Sequence, residues 1–334
     1  MEIIKENCNI LNKICLSSNP VCVIGEIVLD KYIFGVTERI SREAPVLILR
    51  YSTEENIPGG AGNTINNLAD LELKVIPVSI LGNDPSGNFI IDYFKKKKID
   101  ISSVILSNNI ITTEKTRIMA GGSNTVKQQV IRIDKIENNN ITETLFNKIK
   151  NNLEKNTENI DYFIISDYDV NIFSDDFINH INTLSKTKKV IVDSRHKLNK
   201  FQNPYFITPN DEEAREITGF KESPNLNYIT VAKKLMKITN AENVLITMGK
   251  NGMCYVGSDG EKIIPTFNSE PAVDVTGAGD TVISSLTYGL TIGLSPLEAV
   301  FLSSVAANIV VMKKGTATVS IAEIKKELEK ICHE

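Results

Sequence analysis

The apolar positions of this chain fall into short, nearly unbroken runs separated by stretches of helical period. Runs at 21–25, 75–81, 162–165, 190–192, 206–207 and 244–246 have the look of strands buried on both faces. Between them, 142–157, 174–186 and 229–239 place apolar residues at helical spacing, as does a stretch with Ile65, Leu68 and Ala69 on one face. Strands alternating with helices predict an α/β fold: a doubly wound, mainly parallel sheet with right-handed crossovers and flanking helices.

Two segments break this rhythm. Residues 31–53 contain the β-rich pieces 32–35 and 46–51 around a polar loop with Pro45, and 112–135 contains 115–119 and 126–134 around Gly121-Gly122. In the latter, Gln129, Ile131 and Ile133 alternate with Gln128, Val130, Arg132 and Asp134, a period of two. These pieces predict antiparallel strands inserted into the α/β chain as a small β lid. Residues 1–19, with Ile3, Ile4, Ile10, Leu11 and Ile14, read as a helical extension, and 1–334 as one domain.

Composition narrows the function. The apolar fraction of 42%, charged fraction of 23% and net charge of −4 suit a globular chain whose partners are neither nucleic acid nor an anionic membrane. Apolar runs long enough to span a bilayer are absent, and the first residues lack a secretory leader's apolar core. Five cysteines, Cys8, Cys15, Cys22, Cys254 and Cys332, without CxxC spacing predict a reduced, cytoplasmic chain with no structural zinc. The Asn140 sequon then has no role. His180, His196 and His333 are accompanied by neither a G-x-S-x-G elbow nor HExxH, which disfavours hydrolase triads and zincins.

Chemistry concentrates where strands end. Asp30, Ser166-Asp167, Asp193-Ser194-Arg195, Thr208-Pro209-Asn210 and Thr247-Met248-Gly249 all follow apolar runs, and open α/β sheets bind ligands at those ends. Late in the chain, Asp274-Val275-Thr276-Gly277-Ala278-Gly279-Asp280 reads as a strand end turning into a helix. The free N–H groups and dipole of such a helix start favour an anion, with the Asp280 carboxylate at its lip. A simple helix cap remains the alternative for this stretch alone. Walker A, G-x-G-x-x-G and the protein-kinase motifs are all missing, so other nucleotide folds fit poorly.

Four motifs in order decide between these readings: Gly59-Gly60-Ala61-Gly62-Asn63, Asn210-Asp211-Glu212-Glu213 (N-x-x-E), Thr247-Met248-Gly249-Lys250-Asn251-Gly252 and 274–280. Together they resemble the ribokinase-like, PfkB-type carbohydrate kinases from about residue 21 to residue 320. The resemblance implies a doubly wound domain with a β lid, use of ATP and Mg²⁺, and phosphorylation of a sugar hydroxyl. Residues 29–32 and 35–46, Lys115-Thr116-Arg117, Gln128-Gln129, Arg132-Ile133-Asp134, Ser166-Asp167-Tyr168 and 315–320 are similar to the subfamily that acts on D-glycero-β-D-manno-heptose 7-phosphate, a step toward ADP-heptose. Glu26, Arg42 and Asp169-Val170 depart from that subfamily, which has Asp, Pro and Gly-Lys there. The fused nucleotidyltransferase domain of some such kinases is not expected here.

Roles follow from the resemblance and from what phosphoryl transfer demands, which is positioning and charge neutralisation. Asp280 is the expected base, and the N–H groups of Gly277, Ala278, Gly279 and Asp280 the cradle for the transferring group. Asn210 and Glu213 are expected to organise Mg²⁺ through water, with a helix cap as their alternative. Asp211, Glu212, Arg195, Thr247, Gly249, Gly252 and Asn308 are expected along the nucleotide. Asp30, Gly59, Gly60 and Asn63 are assigned to sugar hydroxyls, and Arg117 to a sugar phosphate, ahead of Arg39 and Lys127. Asp274 and Thr276 are assigned to a monovalent cation, K⁺ in several relatives. A homodimer through the exposed lid edges is also expected. A kinase for another sugar or a nucleoside, and a catalytically silent binding protein, are the competing functions.

Overall fold

Strand β1 (Val21–Gly25) explains why the sheet has two cores. All five residues are buried; Val21 and Val23 join one apolar cluster, whereas Cys22 and Ile24 join the other. A period of two in a strand covered on both faces makes this division. The structure, a computed structural model, describes residues 8–122, 125, 127–136, 141–170, 172–267 and 271–333. Ile3 and Ile4 of the expected extension, Val126 and the Asn140 sequon lie outside the described residues.

The lid strands are β2 (Ile27–Ile40), β3 (Leu47–Gly60), β6 (Glu114–Gly121) and β7 (Gln128–Lys135). The main sheet takes β1 with β4 (Val75–Gly82), β5 (Val104–Ser107), β8 (Tyr162–Asp167), β9 (Lys189–Ser194), β10 (Phe206–Ile207), β11 (Asn243–Thr247), β12 (Met253–Gly257) and β13 (Gly260–Ile264). Its order is β13-β12-β11-β10-β9-β8-β1-β4-β5. Neighbours pair in parallel from β5 to β11, and β12 and β13 close that edge antiparallel.

Helices α1 (Ile10–Lys13), α2 (Ala61–Asp70), α3 (Pro85–Lys96), α8 (Ala278–Thr291), α9 (Pro296–Val310) and α10 (Ile321–His333) feed the first core. The other face is covered by α4 (Glu143–Asn156), α5 (Asp175–Leu184), α6 (Asp211–Thr218) and α7 (Tyr228–Thr239). This is the predicted α/β arrangement.

The lid differs from the prediction in one respect. β2 with β3 and β6 with β7 are antiparallel hairpins, but β2 pairs with β6 in parallel, from Leu29–Glu114 to Val36–Gly121. The chain passes through α2, β4, α3 and β5 between them and re-enters the lid in the same direction, as a crossover must. Only Glu26 separates β1 from β2, and β3 runs directly into α2, so the lid grows out of the ligand end of the main sheet.

Three further expectations are corrected. The N-terminal helix is confined, among the described residues, to Ile10–Lys13. Ile14 is extended and buried, and Asn19 Nδ2 donates to Thr291 O at 2.9 Å, so tertiary contacts set the path of the rest. The chain is not all thiol, because Cys8 and Cys332 form a disulfide joining the N-terminal segment to α10. Cys15, Cys22 and Cys254 stay free. Finally, among the described residues no strand runs into α8: Val273 and Asp274 N–H both donate to Val311 O (2.8 and 3.1 Å), which ties this segment to the end of α9 instead of a sheet.

Candidate active site

Helix α8 begins at a left-handed glycine, Gly277, with φ +78°. Among the described residues, the N–H groups of Gly277, Gly279 and Asp280 have no partner, whereas that of Ala278 donates to Val275 O at 3.2 Å. The expected four-donor cradle is therefore a three-donor one, since the turn that aims it uses Ala278. Every residue from Asp280 to Thr291 is buried. A helix sunk this deep holds its first turn rigidly, and its dipole is poorly screened there.

Asp280 is 5% exposed and its carboxylate is surrounded by donors. Asn63 Nδ2 reaches Oδ2 at 2.9 Å, while Thr64 Oγ1 and Tyr168 Oη reach Oδ1 at 3.0 and 2.9 Å. Burial raises its pKa, and these three hydrogen bonds pull the other way. Asn63 and Thr64 come from the first turn of α2, and Asn67, one turn later, donates to Asn63 O (3.0 Å) and Oδ1 (3.3 Å). The contact with Asn63 O makes Asn67 Nδ2 the donor, which turns the Asn63 oxygen toward it and the Asn63 amino group toward Asp280. Thr281 Oγ1 to Asn67 Oδ1 (3.0 Å) and Ser284 Oγ to Thr64 O (3.1 Å) complete a buried network between α2 and α8.

Gly277 must be glycine on two counts: its φ, and a Cβ there would lie 2.5 Å from Asn63 Nδ2. Gly277→Ala is expected to lower kcat about 10²-fold, since sub-ångström misplacement of the cradle and of Asn63 is amplified in rate. Steady-state kinetics on a variant with unchanged circular dichroism checks this; activity within twofold of wild type contradicts it.

Of the residues expected to bind the sugar, Asp30 of β2 and Arg117 of β6 meet in an ion pair at 2.5 Å, both largely buried. The two groups assigned to different parts of a sugar thus hold each other, and the guanidinium lies 5.2 Å from the Tyr32 ring centroid. Gly59 lies against this pair, for its added Cβ would meet Asp30 Oδ2 at 2.0 Å. Gly60 caps α2 at φ +59°, ψ −135°. Lys115, two residues before Arg117 and so on the same face of β6, places its ammonium 5.7 Å from the Tyr168 ring centroid. Burial lowers its pKa. Of the weaker clamp candidates, Lys127 donates to Gly35 O (2.9 Å) and Arg39 is exposed.

Four of the residues expected along a nucleotide converge. Thr247, Gly249, Gly252 and Asn308 line one cleft of about 520 Å³, with Met253, Val275, Val282 and Val311 as apolar walls. Ala278 and Gly279 line it too, so the cleft opens onto the cradle. N-x-x-E forms the capping box of α6: Asn210 Oδ1 accepts from Glu213 N–H and Glu213 Oε2 from Asn210 N–H, each at 2.9 Å. Glu213 keeps Oε1, and burial raises its pKa. Asp211 pairs with Arg215 at 3.5 Å, and Arg195 is exposed, in electrostatic reach of Glu213, Asp193 and Lys115. Glu212 lies in the first turn of α6, where its charge adds to the upward shift of Glu213.

Among the described residues no group of three or more His, Cys, Asp or Glu could hold a metal by itself. Two carboxylates nonetheless lie near one another: Glu213, whose Oε1 the capping box leaves over, and Asp193, in electrostatic reach of it. Asp274 Oδ1 and Oδ2 accept from Thr276 and Gly315 N–H, each at 2.9 Å. Burial works against its charge, yet these bonds lower its pKa, and its observed work is to pin the loop before the cradle. Sequence reasoning missed Tyr168, Thr64 and Asn67 as neighbours of Asp280, and named Asp193 only as a strand-end group; burial and then Glu213 and Asp280 push the Asp193 pKa well up. Ser166-Asp167-Tyr168 at the end of β8 was the available signal for Tyr168.

Residues 18–323 match the pfkB family carbohydrate kinases. The chain belongs to that family. This carbohydrate kinase is accordingly a phosphotransferase with an alcohol group as acceptor. Its relatives include the bifunctional protein HldE of Aliarcobacter butzleri (strain RM4018), 37% identical over 92% of this chain and 64% of that one. The bifunctional protein HldE of Sulfurimonas denitrificans (strain ATCC 33889 / DSM 1251) is 34% identical over 94% of this chain and 65% of that one. The kinase thus spans a little under two thirds of these relatives' length. Phosphofructokinase-2 from Escherichia coli in complex with fructose-6-phosphate superposes with a TM-score of 0.75 at 16% identity, over 94% of this chain and 99% of that one. Arabidopsis thaliana ribokinase complexed with ribose and ATP gives 0.67 at 18%, over 96% and 100%. At such identities the likeness is one of fold.

Proposed function

We propose that this kinase transfers the γ-phosphoryl group of ATP to the anomeric hydroxyl of D-glycero-β-D-manno-heptose 7-phosphate, giving the 1,7-bisphosphate and ADP. The observation that carries the reading is the junction of an apolar-walled cleft with an N–H cradle whose last member, Asp280, bears a buried carboxylate. Lys115 and Arg117 on the lid support a phosphorylated acceptor. The HldE relatives, and the similarity of residues 29–46 and 115–117 to heptose 7-phosphate kinases, favour the heptose.

In this scheme Asp280 Oδ2 takes the proton of the sugar hydroxyl as its oxygen bonds the γ-phosphorus and the bond to the ADP oxygen breaks. The N–H groups of Gly277, Gly279 and Asp280 receive the charge that spreads over the equatorial oxygens. Glu213 and Asn210 would hold Mg²⁺ through water, with Asp193 nearby, and the ion would neutralise phosphate charge when bound. We assign the reaction to the cytoplasm, where ATP is supplied; no described helix is long and apolar enough to cross a membrane. Cellular thiol pools would act on Cys8–Cys332 there, and the reaction uses neither sulfur.

The test is ADP release across a panel of sugars, sugar phosphates and nucleosides. Heptose 7-phosphate is expected to give the highest kcat/KM; a faster ribose, fructose or nucleoside overturns the substrate, and no turnover with any acceptor favours a silent binding protein. We further propose a lid-to-lid homodimer, because β7 is exposed along its whole length with Ile131 and Ile133 uncovered. Light scattering should then give twice 37.0 kDa; a monomer at micromolar concentration removes the proposal.

A further inference from the structure

The loop after β8 carries a side chain that the transfer scheme leaves unused. Tyr168 donates its hydroxyl to Asp280 Oδ1 at 2.9 Å. One carboxylate fixes the backbone around it. Glu26, 3% exposed between β1 and β2, accepts the N–H groups of Tyr168 (2.9 Å) and Val170 (2.8 Å) on Oε2 and that of Ile172 (2.9 Å) on Oε1. Asp169 is left-handed at φ +61°, with its N–H on Asp167 Oδ1 (3.0 Å) and its carboxylate 3.0 Å from Lys197. A non-glycine residue in that conformation persists where its surroundings over-determine it. The loop is built to hold the phenol still.

We propose that Tyr168 is a positioning residue for the base, an inference that rests on the role given to Asp280. A carboxylate offers about four acceptor positions. Thr64 and Tyr168 take those of Oδ1, Asn63 takes one on Oδ2, and the last, on Oδ2, stays open for the sugar hydroxyl. Tyr168 therefore fixes the carboxylate's rotation from the side that the substrate does not use. Its hydrogen bond also favours the ionised form, the one a base needs, against the burial that disfavours it. The other charged groups in reach of Asp280 are Asp30 on β2 and Asp193 at the end of β9, while Lys115 on β6 and Arg195 after β9 face Tyr168. None of these bonds Asp280, so the Tyr168 hydroxyl is separable from them.

Tyr168→Phe isolates that hydroxyl. The ring stays beneath Lys115, and the backbone N–H stays on Glu26, whose carboxyl burial pushes up to about 7, so its titration contributes equally to both proteins. We expect kcat to fall about tenfold. The acid limb of kcat/KM should move up by about one pH unit, with KM for ATP within about twofold of wild type. An unchanged midpoint overturns the proposal, whether kcat falls or not. So does a lower sugar KM at an unchanged midpoint, which would make Tyr168 a plug. A ¹³C NMR titration of the Asp280 carboxyl in the sugar-free full chain should show the same upward shift without relying on turnover. A shift there with no kinase activity in wild type would sink the function and leave the contact standing; no shift sinks the positioning role itself.

Discussion

Asp280→Asn is expected to lower kcat at least about 10³-fold while leaving the dissociation constant for ATP within about threefold of wild type. The amide keeps the size of the carboxylate and can still accept from Asn63, Thr64 or Tyr168, so the α2–α8 network survives in outline. What it loses is basicity toward the sugar hydroxyl. The N–H groups of Gly277 and Gly279 and the cleft walls are untouched, which is why nucleotide binding should persist. Single-turnover kinetics with a separate ATP titration checks both halves. A variant that keeps more than about a tenth of its activity would mean that another group takes the proton.

The second large effect concerns the acceptor. Arg117→Ala should lower kcat/KM about 10²-fold for phosphorylated sugars and much less for their unphosphorylated forms. In the present structure Arg117 is occupied by Asp30 at 2.5 Å. Binding a sugar phosphate then exchanges partners: the guanidinium fork turns to phosphate, and Asp30 becomes free for sugar hydroxyls. Arg117→Lys is expected to recover only part of the loss, because an ammonium cannot give two parallel bonds. The readout is the ratio of kcat/KM for a sugar phosphate to that for its parent sugar. Equal losses on both would show that Arg117 serves only to hold Asp30.

The sequence carried the main sheet well because β1, β4, β8, β9, β10 and β11 are buried on both faces, and such strands write themselves as apolar runs. β5 and β13 escaped notice because they are partly exposed, and β12 because it lies in a glycine-punctuated stretch between Gly252 and Gly257. In the lid, a period of two revealed strands, but alternation says nothing about a partner's direction or about which strand, here β7, lies at the edge. The parallel β2–β6 pairing was therefore invisible. At the candidate site, glycine spacing placed the helix start, yet Ala278 spends its N–H within the turn, a detail of dihedral angles and not of composition. Asn210 and Glu213 form a helix capping box, the alternative that the same spacing had left open beside a metal role. Tyr168 reaches Asp280 across more than a hundred residues, through a loop that Glu26 folds, and no local pattern records such a contact.

The central claim is that Asp280 directs the γ-phosphoryl group onto a sugar that already carries a phosphate. It is tested most directly by ³¹P NMR of the product formed from ATP and heptose 7-phosphate. A new resonance coupled to the anomeric proton, appearing in step with ADP beside an unchanged 7-phosphate signal, is the predicted result. ADP formation without that resonance, or its appearance at an undiminished rate in Asp280→Asn, would contradict the account.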